Sequence, residues 1–120
     1  MKNFLILIAI FSTILFSKDY RDYYDNGQLK TLGRLENGTG EGKWISYYEN
    51  GQIRTEQNYK NGKGEGLWIG YYDTGEIMVE GYYKDDKFHG NMVGYYKNGQ
   101  PSEKSKYKKG LSNGQSTQYY

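Results

Sequence analysis

A Tyr-Tyr pair recurs at Tyr23-Tyr24, Tyr47-Tyr48, Tyr71-Tyr72, Tyr95-Tyr96 and Tyr119-Tyr120, always 24 residues apart. Ten of the 15 tyrosines belong to these pairs. A fixed period of this length marks a repeat array, in which a small unit that cannot bury its own apolar face is stabilised by stacking on its neighbours. The 120-residue chain has room for one domain only. Such an array favours a binding surface over a catalytic pocket.

The period exposes two turn columns. The first holds Asn26-Gly27, Asn50-Gly51, Thr74-Gly75 and Asn98-Gly99, and the second holds Asn37-Gly38, Asn61-Gly62, Asp85-Asp86 and Lys109-Gly110. Asn-Gly predicts hairpins with type I′ turns, because both central residues must take positive φ. The single proline and 17 glycines suit many tight turns rather than long helices.

The segments between turns have strand character. In Lys43–Tyr48, alternation places Trp44, Ser46 and Tyr48 on one face and Ile45 and Tyr47 on the other. In the second strand type Ile53, Thr55, Gln57 and Tyr59 share a side, with Arg54, Glu56 and Asn58 opposite. The predicted fold is all-β: an elongated single-layer antiparallel β-meander of about four 24-residue hairpin repeats, preceded by a signal-peptide helix. Units fall near 19–42, 43–66, 67–90 and 91–114, with a terminal strand over 115–120. Roughly eight to nine strands at about 4.8 Å spacing would span about 40 Å. With 36% apolar residues, a thick two-layer core is not expected. Ser46, Gly70 and Gly94 form one small column, and Gly33 and Gly81 another, over which neighbouring rings can lie. The pattern decays at Asp85-Asp86, Met92, Pro101 and Ser116, which puts the regularity of the last two units in question and reads as a cap.

Residues 1–17 stand outside the array. Met1-Lys2-Asn3 supplies a short positive end, Phe4 to Phe16 an apolar run, and Ser17 a small residue. This reads as a secretory signal peptide, too short for a bilayer-spanning helix. Residues 18–120 are then an exported repeat domain, periplasmic, at the cell surface or extracellular; an uncleaved N-terminal membrane anchor is the alternative. The absence of cysteine excludes disulfides, thiolate metal sites and a cysteine-linked lipid anchor.

The stretches Gly42-Lys43-Trp44-Ile45-Ser46-Tyr47-Tyr48-Glu49-Asn50-Gly51-Gln52 and Tyr59-Lys60-Asn61-Gly62-Lys63-Gly64-Glu65-Gly66-Leu67-Trp68 resemble the MORN-repeat superfamily. They are most similar to its bacterial variant, the toxin–antitoxin YwqK-family antitoxins. Lys87-Phe88-His89-Gly90 also looks like a MORN unit ending. The resemblance covers residues 19–120. It implies a curved single-layer meander, roles in protein scaffolding or near membranes, and in this subgroup a proposed antidote role against toxins.

Little supports catalysis. His89 is the only histidine, no serine sits in a nucleophile elbow, and one histidine cannot build a His-rich metal site. Of Glu41, Glu65, Asp73, Glu76, Glu80, Asp85 and Asp86 most recur at turn or solvent-facing columns, and Gly38-Thr39-Gly40-Glu41-Gly42 reads as turn glycines. No catalytic, cofactor or metal residue is expected. A net charge of +2 gives no reason to expect nucleic acid or a strongly anionic partner. Two surfaces remain: an aromatic ladder of Tyr20 with Trp44, Tyr48, Trp68, Tyr72 and Tyr96, and a basic cluster of Lys104, Lys106, Lys108 and Lys109 around Tyr107. Trp44, Tyr48, Trp68, Tyr72 and Tyr96 are the candidate partner-binding residues. The expected function is that of an exported, non-enzymatic protein-interaction module, with an antitoxin or immunity role as one instance. Its partner would be another protein, a toxin or an envelope protein. The alternative is a module that binds cell wall, glycan or a membrane surface.

Overall fold

The computed structural model describes residues 16–119, with 111–116 as backbone only. The expected signal peptide therefore lies, over residues 1–15, outside the described residues, as does Tyr120 of the last pair. Ten strands follow in chain order: β1 Ser17–Tyr23, β2 Leu29–Glu36, β3 Thr39–Tyr47, β4 Ile53–Lys60, β5 Lys63–Tyr71, β6 Ile77–Lys84, β7 Lys87–Phe88, β8 Gly90–Tyr95, β9 Pro101–Lys108 and β10 Leu111–Gln118. All pair antiparallel in one sheet, each with its chain neighbour except β7 with β8. β7 and β8 both pair with β6 and share one place, interrupted at His89, so ten strands fill nine positions. Pro101 opens β9 opposite Tyr95, a position where a missing N–H is tolerated. The smallest extent of the Cα trace is 17 Å, the depth of one layer.

The two turn columns fold differently, although both are built on Asn-Gly. In the second, Asn37 and Gly38 (φ 51° and 81°) and Asn61 and Gly62 (51° and 78°) are both left-handed, as type I′ requires. Asp85-Asp86 keeps the same turn at 49° and 66°, so the loss of glycine does not disturb the register. In the first column only the glycine is left-handed, with Gly27 at 85° and Gly51 at 89°. Gly27 N donates to Tyr24 O at 2.9 Å and Tyr24 N to Gln28 O at 2.8 Å, the pattern of a type I turn closed by a glycine bulge. The expectation of type I′ turns in this column is thus corrected. The asparagine here acts through its side chain: Asn26, Asn50 and Asn98 each accept from the amide two residues on, at 2.9 Å. That bond holds Asn in the right-handed half of the turn and leaves positive φ to glycine alone.

A second irregularity recurs inside the strands. Leu32 pairs with Ile45 but Arg34 with Glu41, so Gly42, Lys43 and Trp44 oppose Gly33. The same shift appears between Gln57–Trp68 and Tyr59–Gly64. Gly42 and Gly66 supply positive φ at these bulges, 72° and 88°. Glycine is needed there because an L side chain is strained in that conformation. Bulges bend the strand and raise its local twist.

Among the described residues no apolar side chain is buried; the buried positions are Gly33, Gly64, Gly70, Gly81 and Ser105. The reason is the row Tyr20, Gly33, Trp44, Gln57, Trp68, Gly81, Met92, Ser105, in which large residues on odd places alternate with smaller ones on even places. Tyr20 and Trp44 meet over Gly33 with ring centroids 5.2 Å apart. A Cβ on Gly33 would lie 2.1–2.5 Å from three Trp44 ring atoms, whereas one on Gly81 meets Met92 no closer than 3.5 Å. Gly33→Ala should therefore destabilise the fold by about 1–3 kcal/mol through overpacking. Gly81→Ala, at the equivalent position two units on, should change stability by less than about 0.5 kcal/mol. Urea denaturation followed by tryptophan fluorescence separates the two; equal losses would contradict the packing described.

Candidate interaction surfaces

The two tyrosines of each pair do different work. The second reaches along the array to the next pair: the Tyr24 hydroxyl donates to Tyr47 O at 2.6 Å, Tyr48 to Tyr71 O at 2.6 Å, and Tyr72 to Tyr95 O at 2.7 Å. Tyr96 repeats the contact on Tyr119 O. The first tyrosine faces the side of Ile45, Ile69 and Val93, where Glu56 lies opposite Ile45 and Ile69. Tyr95 donates to Glu80, and Tyr71 bonds Glu56. One unit further the acidic column becomes Lys104, whose ammonium sits 5.5 Å from the centroid of the Tyr119 ring, exchanging a phenol–carboxylate bond for a cation–π contact.

The opposite row of turns is tied in the same manner. Gly62 N donates to Gly40 O, Asp86 N to Gly64 O and Gly110 N to Phe88 O, at 3.0, 3.0 and 2.8 Å. Glu41 accepts from Asn61 N at 2.8 Å and Glu65 from Asp85 N at 3.0 Å. Asp86 accepts from Gly64 N, so its carboxylate serves the turn of its own repeat neighbour. The turn-forming reading of these carboxylates therefore holds for Glu41, Glu65 and Asp86. His89 occupies the same column but its side chain is exposed, while its backbone N bonds Tyr82 O at 2.8 Å.

The predicted binding residues fall into two rows. Trp44 and Trp68 are half-buried in ring contacts: Trp44 with Tyr59 at 6.0 Å, Trp68 with Tyr83 at 6.5 Å and with Phe88 at 6.0 Å. Tyr48 and Tyr72 are half-buried and Tyr96 is exposed, and among the described residues no ring contact joins them to the tryptophans. Ser46, paired with Thr55, and Gly70, paired with Val79, lie between the rows. The expected continuous ladder is thus two parallel ones separated by small side chains. Cations sit over the tyrosine row, Lys30 on Tyr24, Arg54 on Tyr48 and Lys97 on Tyr72, at 5.4–5.7 Å. Phe88, in the sequence only part of a unit ending, is a packing residue. It replaces the glycine of the Gly40 and Gly64 column and packs on Tyr83 at 4.4 Å and Tyr107 at 5.5 Å, in the unit where Met92 stands in the tryptophan column.

The Trp44 indole Nε1 is buried without a hydrogen-bond partner, beside a cleft of about 220 Å³ lined by Leu35, Gly40, Tyr59 and Gly62. An unpaired buried donor costs about 1–3 kcal/mol. Among the described residues no three histidine, aspartate or glutamate side chains converge as a metal site. The basic cluster expected at the end of the array is divided by the pleat: Lys104, Lys106 and Lys108 share the face of Val93, while Lys109 enters the turn at φ 51°.

A single-layer meander whose units repeat every 24 residues defines an open-sheet β-repeat protein. Residues 18–37, 40–61, 64–85 and 88–109 match the MORN repeat variant family, and the chain belongs to that family. No curated protein matches the chain. A crystal structure of accessory secretory proteins 1, 2 and 3 from Streptococcus pneumoniae is similar at 15% identity and a TM-score of 0.46. The match covers 77% of this chain and 17% of that one.

The hydroxyl ladder makes the second tyrosine a stability residue. Tyr48→Phe and Tyr72→Phe should each cost about 0.5–1.5 kcal/mol, measured by urea denaturation. Tyr23→Phe, at an exposed first tyrosine, should stay within about 0.5 kcal/mol. Equal effects at Tyr23 and Tyr48 would remove the distinction.

Titration supplies a second check. Burial first holds Tyr59, Tyr71 and Tyr83 above the ordinary phenol value of 10.0, followed by Asp86 at Tyr59, Glu56 at Tyr71 and the Tyr59 phenol at Tyr83, and for Tyr95 the bond to Glu80 comes first. Groups raised in the folded state contribute stability that is complete below the unfolded value and lost as pH climbs through the folded one. The fold should therefore weaken only above pH 10.0 on this account, and Tyr95→Phe should flatten that alkaline decline when unfolding is followed across pH.

Proposed function

We propose that this chain is an exported, non-enzymatic protein-interaction module. The observation that carries the reading is a MORN-repeat sheet over 18–109 with no buried apolar side chain among the described residues, which leaves every side-chain row accessible from one face or the other. Tyrosine and tryptophan dominate interface hot spots, and the chain presents both in parallel rows. The Trp44 N–H, buried without an acceptor beside an open cleft, supports that row as a place where a partner supplies one. An immunity or antitoxin role is one form of this function, supported by the resemblance to the bacterial MORN variant. Export rests on the charged, then apolar, then small-residue order of Met1 to Ser17.

The full-length protein immobilised against an envelope extract should enrich a specific protein, and Trp44→Phe/Trp68→Phe, which keeps a ring at both packing positions but removes the indole N–H, should weaken the capture while far-UV circular dichroism stays that of a β-sheet. Indifference of the captured material to those changes would remove the tryptophan row from the interface. Sedimentation with purified cell wall instead of protein capture would overturn the reading in favour of a wall-binding module.

A further inference from the structure

The face opposite the tryptophans carries one departure from the repeat that the fold does not require. Three cross-strand pairs occupy the same place in successive units: Lys43 opposite Asn58, Leu67 opposite Tyr82, and Asn91 opposite Lys106. The outer two are polar and lysine-bearing. The central pair is apolar and exposed, Leu67 at 37% and Tyr82 at 54%. Because the sheet forms equally with Lys and Asn at this place, the fold does not explain the two apolar side chains.

The next row towards the turns is basic. Tyr59, opposite Gly64, packs its ring on Trp44, so the pair Lys60–Lys63 faces the other way, with Leu67 and Tyr82. Lys84 lies directly opposite Lys87, an arrangement of like charges that destabilises a sheet. Lys63, Lys84, Lys87, His89, Lys108 and Lys109 line a cleft of about 440 Å³ together with Asp85. Among the described residues the two ion pairs, Arg34–Glu36 and Lys43–Glu56, involve none of these lysines. Along β6 the face runs Glu80, Tyr82, Lys84: acid, apolar, base.

We infer that Leu67 and Tyr82, with the lysine cleft beside them, form a docking surface for an acidic protein segment carrying an apolar anchor. Clustered lysines without internal partners attract negative charge, and the exposed pair supplies the apolar contact that charge alone lacks. The reversal of sign from Glu80 to Lys84 favours a segment with a direction over a uniformly anionic membrane. This rests on the protein-interaction reading but places the contact on the face away from Trp44 and Trp68.

The test uses the full-length protein and a labelled oligoglutamate peptide with one central leucine, against the same peptide with serine there. The leucine peptide should bind about tenfold more tightly, and binding of both should weaken with added salt. Leu67→Lys/Tyr82→Asn, which installs the pair found in the preceding unit, should abolish the preference. Lys84→Glu/Lys108→Glu should abolish binding of both peptides. Equal affinity for the two peptides overturns the proposal, as does binding to phosphatidylglycerol vesicles with no binding of peptide. If an envelope protein is captured but Leu67→Lys/Tyr82→Asn does not release it, this surface fails while the general function stands.

Discussion

A sheet one layer thick has nowhere to hide apolar surface, and the organisation of this protein follows from that limit. An isolated hairpin is marginal in water because its side chains lose too little solvent contact to offset the ordering of the chain. The array escapes this by laying rings flat across the strand next door. Trp44 over Gly33 gains two faces of contact from a single layer, one with the glycine backbone below and one with Tyr20 beside it. The buried positions are consequently glycines and a serine, the inverse of a globular core, where large apolar groups occupy the interior.

The period and the composition of the columns were enough to read the strand order, the single layer and the alternation of large and small residues. They also placed the first tyrosine of each pair on the isoleucine face. The turn chemistry was only half legible. Asn37 and Asn26 stand in the same dipeptide, but Asn26 bonds the Gln28 amide through its side chain, which converts the expected I′ turn to a type I turn with a bulge. A dipeptide reports what φ its residues tolerate; which hydrogen bond competes is decided by the loop around it. The hydroxyl ladder was hidden for a related reason. Periodicity says that Tyr48 and Tyr71 recur, but that the oxygen of one meets the carbonyl of the other depends on the turn bringing the second ring across a strand. The packing role of Phe88 was hidden because it enters a glycine column, and its ring contacts reach residues on three other strands.

Charge was misleading in a different way. A net charge of +2 describes an average, whereas the pleat sorts charges by face and the meander sorts them by row. Glu56 and Glu80 are drawn to tyrosines near one row of turns, and lysines from four strands and a turn collect near the other. The formal balance of the chain thus coexists with a strongly basic cleft. Repetition makes this visible, since each column states what the scaffold accepts and any exception stands out against it.

The hydroxyl bonds of the second tyrosines are all directed the same way, from one pair to the following one. Donor and acceptor sit at equivalent positions in successive units, so this link is repeated from joint to joint even where the packing around it changes. A segment of one period duplicated or deleted in the gene would leave matching ends on both sides of the splice. Length is then a free variable for this architecture. The number of units can change by recombination without any unit having to acquire a new interface, while individual columns drift towards particular partners.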